Sequence, residues 1–148
     1  QATPLAKRHP ASLSGGEAQR VAIAAALAMQ PDLLLLDEAF SRLTPQASTQ
    51  LLRQLTARVQ GGMTLILFEK QFDRVSQIAN QVLVLDQGRL ITQGTATDVF
   101  DVALQHVLAS DAVLAAHRAR HSGAWCSQIQ PPLTALMAAA QFAAVLDE

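Results

Sequence analysis

The sequence lacks several features that mark common classes of protein. Of its 148 residues, one is a cysteine, none is a tyrosine, and aromatic residues make up 4%. The single cysteine, Cys126, excludes an internal disulfide framework and fits a reducing compartment. No signal peptide is recognisable, and no apolar run approaches the roughly 18 residues that a membrane-spanning helix needs. We therefore expect a chain that does not itself cross a bilayer.

Positive and negative charges are nearly balanced, with 11 basic residues, 12 acidic residues and a formal net charge of −1. Nucleic acids and anionic membrane surfaces attract proteins through an excess of positive charge. The composition therefore predicts no nucleic-acid partner. A chain of this length can bury about two-thirds of its unfolded surface, which suits one domain or part of one.

The first informative stretch is Leu13–Arg20, which reads Leu-Ser-Gly-Gly-Glu-Ala-Gln-Arg. Ser14 and Glu17 have the spacing of a capping box, in which each side chain accepts a hydrogen bond from the other residue's backbone N–H. Gly15 and Gly16 would let another backbone or a phosphate approach the helix start closely. A helix start carries unpaired N–H donors and a partial positive charge, so it can bind an anion. Taken alone, the stretch predicts only an ordinary capped helix.

The second stretch is Leu33–Glu38, in which four leucines are followed by two acidic residues. Pro31 ends the preceding helix. The short apolar run predicts a strand that is buried on both faces, as in a parallel sheet. Asp37 and Glu38 follow at its carboxyl end, where open α/β sheets bind ligands. Two adjacent carboxylates are costly to place there unless a metal ion or an activated water uses them.

Together the two stretches resemble a known pair of motifs. Leu13–Arg20 is similar to the signature motif of the ABC ATPases, and Leu33–Glu38 is similar to their Walker B strand with the following catalytic glutamate. The resemblance implies that Asp37 holds Mg²⁺ and that Glu38 polarises the attacking water. It also implies that the signature residues contact an ATP held by a second nucleotide-binding domain in a head-to-tail dimer; these residues are Ser14, Gly15, Gly16 and Glu17.

Three positions depart from the family's pattern. Ser41 and Thr44 lie in a segment that matches the D-loop and are candidate cofactor-binding residues, but Thr44 replaces an aspartate. This leaves open whether the two ATP sites communicate through the D-loop. Ala39 replaces the usual proline, and Lys70 stands where the family has its switch histidine, which touches the γ-phosphate. Lysine offers phosphate a point charge but no imidazole, so Lys70 indicates either an adapted catalytic residue or a solvated charge.

The chain contains no G-x-x-x-x-G-K-[S/T] motif, the P-loop that cradles ATP phosphates. The resemblance therefore implies the C-terminal half of an ABC transporter ATP-binding protein. Residues 1–100 would form that half of the nucleotide-binding domain, and residues 101–148 a helical extension. The expected fold is α/β, a partial P-loop NTPase core with a mainly parallel sheet, flanking helices and a helical tail. An N-terminal half that carries the P-loop is an expected partner.

Hydrophobic periodicity and turn residues predict the local elements. The first helix is apolar on almost every side, which predicts that it is mostly buried. Gln87-Gly88 predicts a hairpin turn. The full set comprises helices over 15–29, 46–59 and 71–79, strands over 33–37, 63–68, 82–86 and 90–92, and a helix from about residue 98 that Thr95 or Thr97 caps.

The resemblance favours part of an ATP-binding subunit that uses ATP and Mg²⁺ to power a membrane transporter. A second nucleotide-binding domain and a transmembrane subunit would be its partners, which places it in the cytoplasm at the inner face of the cell membrane. Arg20–Ala24 is similar to the energy-coupling-factor importers for vitamins and metal ions. Two alternatives stay open: a non-transport ABC ATPase of DNA repair or translation, and a degenerate half that contributes only its signature motif. ATP hydrolysis is expected only when the missing half is supplied.

The last third of the chain matches no motif of the family. His117 and His121 are four residues apart on a predicted helix, with Cys126 nearby, so a metal site is conceivable. A structural site needs a fourth ligand, and none is obvious in the sequence. The simpler interpretation is that alanine- and leucine-rich helices pack against the domain or a partner.

Overall fold

A computed structural model describes residues 7–122, which divide into two compact units between Phe68 and Glu69. The first unit contains a 3-10 helix (Pro10–Ser12), α1 (Gly15–Ala28), β1 (Leu33–Asp37), α2 (Pro45–Gln60) and β2 (Thr64–Phe68). The second contains α3 (Phe72–Val75), β3 (Val82–Asp86), β4 (Arg89–Gly94), α4 (Ala96–His106) and α5 (Asp111–His121). The predicted elements are confirmed to within two residues, except that the helix predicted over 71–79 is much shorter.

In the first unit, β1 and β2 pair in parallel, from Leu33 opposite Thr64 to Asp37 opposite Phe68. Parallel neighbours need a crossover, and α2 provides it. Thr44 caps this helix and Pro45 occupies its first turn, where a missing N–H costs nothing. The buried apolar side chains of this unit are Ile23, Leu34, Ala39, Phe40, Ala47, Leu51, Leu55 and Met63.

One face of the β1–β2 sheet is open, so the prediction that β1 is buried on both faces is wrong for the described residues. Leu34 is 7% exposed, whereas Leu33 and Leu35 are 50% and 55% exposed. The parallel register places Ile66 and Phe68 on the same exposed face. The leucine run is suited to a sheet covered on both sides, but the described elements cover only one.

The prediction that the first helix is mostly buried is wrong for the same reason. Along α1, only Ile23 is buried among the described residues. Its alanine-rich surface is suited to contact on several sides. The elements that lie beside it in the described chain cover one side.

The second unit is built on the antiparallel hairpin β3–β4. The predicted turn is confirmed: Gln87 and Gly88 have φ values of 47° and 74°, the left-handed pair that a tight two-residue hairpin requires. Thr95 caps α4 through a capping box with Asp98. The buried cluster that joins the hairpin to the helices comprises Phe72, Val84, Ala96, Val99, Phe100, Ala103 and Val113.

The predicted α/β class is confirmed, with a small parallel sheet and flanking helices. The predicted domain boundary near residue 100 lies within α4 and stays a prediction, as does the tail over 101–148, of which residues 123–148 and Cys126 lie outside the described range. None of the helices described for residues 7–122 has the length and apolar character needed to cross a bilayer.

Candidate functional site

The predicted capping box at the start of α1 is confirmed. The Ser14 backbone N–H donates to Glu17 Oε2 at 2.8 Å, and the Glu17 N–H donates to Ser14 Oγ at 3.3 Å. Arg8 adds an ion pair, with its Nη1 2.9 Å from Glu17 Oε1. The hydrogen bonds from the Ser14 backbone and side chain lower the pKa of Glu17 below its usual 4.5, and Arg8 acts in the same direction. Glu17 therefore stays ionised and fastens the helix start.

This arrangement leaves donors available at the helix start. The first N–H groups of a helix have no intrahelical acceptor, and those of Gly15 and Gly16 belong to this set. The Ser14 hydroxyl accepts a hydrogen bond from the Glu17 N–H and donates to the Glu17 carboxylate, so the donors left at the helix start are the backbone N–H groups. Both oxygens of Glu17 are engaged, which suits a supporting role better than direct contact with a phosphate.

Glu38 has an unusual backbone conformation, fixed on both sides. Its φ of 44° lies in the left-handed region, which is uncommon for a residue other than glycine. Its N–H donates to the Phe68 carbonyl at 2.9 Å. Its carbonyl accepts from Gln19 Nε2 at 3.1 Å and from Ser41 Oγ at 2.8 Å. Such conformations persist where the surroundings hold them, and they cluster at functional sites.

The start of α1 touches the loop that follows Glu38. A Cβ atom at Gly16 would lie 2.5 Å from the Arg42 carbonyl oxygen, so no larger residue fits without movement of the backbone. A Cβ at Gly15 would lie 3.2 Å from Arg42 Nη1, the end of a flexible side chain. The second glycine of the motif is therefore required by packing within this chain.

These contacts bring the two sequence motifs to one open groove of about 560 Å³. Helix α1 contributes Gly15, Ala18, Gln19 and Ala22, and the end of β1 with its loop contributes Asp37, Glu38, Ser41 and Arg42. Carboxylate oxygens are the ligands that Mg²⁺ prefers, and Gln19 Oε1 is buried without a hydrogen-bond partner among the described residues. These oxygen ligands therefore fit a hydrated magnesium ion.

The remaining predicted residues fall in two places. Thr44 accepts a hydrogen bond from the Ala47 N–H at 3.3 Å as the cap of α2. Threonine and aspartate both serve as helix caps, so this substitution keeps the cap while it removes a carboxylate. Lys70 belongs to the second unit, where its carbonyl accepts from the Leu108 N–H at 2.9 Å, and its catalytic role stays a prediction.

The sequence analysis missed the two other polar residues of the groove. Gln19 clamps the Glu38 carbonyl from a position 19 residues earlier, and Arg42 packs against both motif glycines. Neither contact has a sequence signal, because each joins segments that meet only after the strand and the helix have packed.

The contact at Gly16 gives a stability prediction. Gly16→Ala should lower the free energy of unfolding by about 1–3 kcal/mol, the usual cost of forced overpacking, even though alanine favours a helix by up to about 1 kcal/mol. Gly15→Ala is the matched control, because its methyl group meets only a movable side chain. Urea unfolding of both variants measures the difference; equal stabilities would contradict the packing argument.

Comparison with known proteins adds four findings. A family model described as "ABC transporter" matches residues 1–41. The methionine import ATP-binding protein MetN of Haemophilus influenzae is 49% identical over 94 residues, which is 62% of this chain and 27% of that protein. CbiO1 of Clostridium perfringens, part of the ABC transporter complex CbiONQ, is 34% identical with a TM-score of 0.53, over 63% of this chain and 38% of its own.

A further solved structure, a bacterial ABC transporter cassette in dimeric form, is 26% identical with a TM-score of 0.55 and covers 59% of this chain and 38% of its own. The chain spans little more than a quarter of the curated relative. The similarity to energy-coupling-factor importers is not resolved by these matches and stays a prediction.

Proposed function

We propose, from the premise that this chain is part of an ABC transporter ATP-binding domain, that it helps to couple ATP binding and hydrolysis to solute transport. The observation that supports this most is the shared groove, on which the signature-like start of α1 and the carboxylates of Asp37 and Glu38 lie together. Of the predicted signature residues, Gly15 lines this groove. The N–H donors of the helix start suit the phosphates of a partner's ATP, and the two carboxylates suit the metal ion and the attacking water at the chain's own ATP.

In this proposal Asp37 holds Mg²⁺, and Glu38 polarises the water that attacks the γ-phosphate. The metal ion neutralises charge on the phosphates when it is bound. The fixed backbone of Glu38 limits the positions its carboxylate can take, which favours orientation of a water. Ser14, Gly15 and Gly16 contact the γ-phosphate of an ATP held by a second nucleotide-binding domain, and Glu17 supports them.

A P-loop-bearing segment is the proposed first partner, in this polypeptide or another. The 148 residues contain no P-loop. The exposed sheet face of Leu33, Leu35, Ile66 and Phe68 is apolar, and contiguous patches of this kind mark contact sites. A segment that supplies the P-loop strand and its helix would cover such a face.

The other proposed partners are a second nucleotide-binding domain and a transmembrane subunit, which together would hold the chain at the inner face of the membrane. The alternative of a degenerate half rests on Thr44 at the position of the D-loop aspartate and on Lys70 at the switch-histidine position. In that case the start of α1 would serve only a partner's ATP.

Reconstitution tests the proposal. The chain is co-expressed with a P-loop-bearing segment of an ABC transporter ATP-binding protein, and the complex is probed with a fluorescent ATP analogue. We expect a complex that binds the analogue and slows hydrogen exchange in β2, because its free edge becomes paired. The control replaces the lysine of the added P-loop with alanine, which should abolish binding but keep the complex. Unchanged exchange in β2, with no complex formed, would refute the proposed partner.

A further inference from the structure

A cluster of two imidazoles and one carboxylate lies in the second unit, outside the groove. Asp101 on α4 and His117 and His121 on α5 each offer one ligand atom, and these atoms lie within 4.8 Å of one another. Residues four apart on a helix lie on the same side, and the buried cluster shared by α4 and α5 brings Asp101 to them. We infer that these three residues form a binding site for a divalent transition-metal ion such as Zn²⁺.

The spacing of Asp101 and His117 is the first support. His117 Nε2 is buried and makes no hydrogen bond among the described residues, although Asp101 Oδ1 is 3.4 Å away. A charge-assisted hydrogen bond would bring such atoms to about 2.7–2.9 Å. Two ligands bound at about 2.1 Å to a tetrahedral Zn²⁺ lie about 3.4 Å apart. The observed spacing fits two ligands of one ion better than it fits a direct pair.

The setting of His121 is the second support. Its Nδ1 lies 3.0 Å from the backbone carbonyl of His117; a proton donated there leaves the lone pair on Nε2. Metal-bound histidines commonly make this bond to a carbonyl, which fixes the ring. The two rings are 4.3 Å apart between centroids. Because His121 is exposed at the end of α5, an ion can reach its ring from solvent.

Two imidazoles and one carboxylate, with water in the fourth position, are a ligand set that Zn²⁺ accepts. Phe100 forms an apolar wall beside the site, with its ring centroid 5.8 Å from that of His117. Arg118 and Arg120 act on His117 as positive neighbours and oppose a cation. We therefore expect weaker binding than at sites of four thiolates. When bound, the ion would join α5 to α4.

The test measures Zn²⁺ binding by competition with a chelating dye. All proteins carry Cys126→Ser, which removes the chain's one thiol. We expect one Zn²⁺ per chain and a rise in the thermal unfolding midpoint. His121→Ala should weaken Zn²⁺ binding by more than about tenfold, because loss of a residue that merely supports a metal ligand already costs about that much. The variant should also lose the rise in the thermal unfolding midpoint. All three ligands come from one chain, so the stoichiometry does not depend on its oligomeric state.

His106→Ala is the matched control. His106 also faces a carboxylate, with Nδ1 3.1 Å from Asp86 Oδ2, but it belongs to no three-residue cluster among the described residues. Its variant should bind Zn²⁺ like the parent. Thermal unfolding in EDTA checks that each variant folds without metal. If His121→Ala does not fold, Asp101→Asn replaces it, because Asp101 is exposed. Absence of binding in the parent, or equal losses in the site and control variants, would overturn the assignment.

Discussion

Glu38→Gln should reduce ATP turnover of the reconstituted domain by about 10²–10⁴-fold, the range expected for loss of a group that assists proton transfer. The amide keeps the size of the side chain but cannot accept the proton of the attacking water. The backbone at φ 44° is held by Phe68, Gln19 and Ser41 through main-chain atoms of Glu38, so the substitution should leave the fold intact. Steady-state phosphate release with saturating ATP and Mg²⁺ measures the effect.

The control is Asp32→Asn, because Asp32 is an exposed carboxylate just before β1 that does not line the groove. It should keep full turnover. The 148-residue chain alone should release no phosphate above its own Glu38→Gln variant, since positioning of the phosphates is most of phosphoryl-transfer catalysis. Turnover by the chain alone, or survival of turnover in reconstituted Glu38→Gln, would contradict the proposed role.

Ser14→Arg should abolish turnover in the reconstituted dimer while ATP affinity stays nearly unchanged. Ser14 is proposed to meet a phosphate bound mainly by the other domain. The larger arginine side chain should therefore block closure of the dimer but leave the first binding of nucleotide unaffected. Two assays separate these steps: phosphate release, and titration with a fluorescent ATP analogue. Loss of affinity in proportion to loss of rate would assign the motif a structural role alone.

Two further variants separate the cap from the phosphate contact. Ser14→Ala loses the cap, which costs about 1 kcal/mol, but adds no bulk. Ser14→Thr keeps both the cap and the hydroxyl. If the defect of Ser14→Arg came only from the lost cap, Ser14→Ala would reproduce it, whereas blocked closure predicts that Ser14→Ala retains more turnover.

Local chemistry made much of this fold predictable. The capping box at Ser14 and the strand ending at Asp37 depend on neighbours within a few residues, and short-range patterns report such features well. The exposure of Leu33 and Leu35 was not predictable, because a leucine run indicates which faces could be buried and not which covering elements the chain supplies. The same limit applies to Asp101: the spacing of His117 and His121 is visible in the sequence, but their neighbour on another helix is not.

The hydrogen bond from Gln19 to the Glu38 carbonyl would couple the two ATP sites of the proposed dimer. Helix α1 would sense the partner's ATP at its first turn, while Glu38 would act on the ATP of its own domain. A phosphate that shifts α1 would therefore move the backbone that carries the water-polarising carboxylate. The two ATP sites would then be coupled through this hydrogen bond to the main chain. The coupling would not need the D-loop carboxylate that Thr44 lacks.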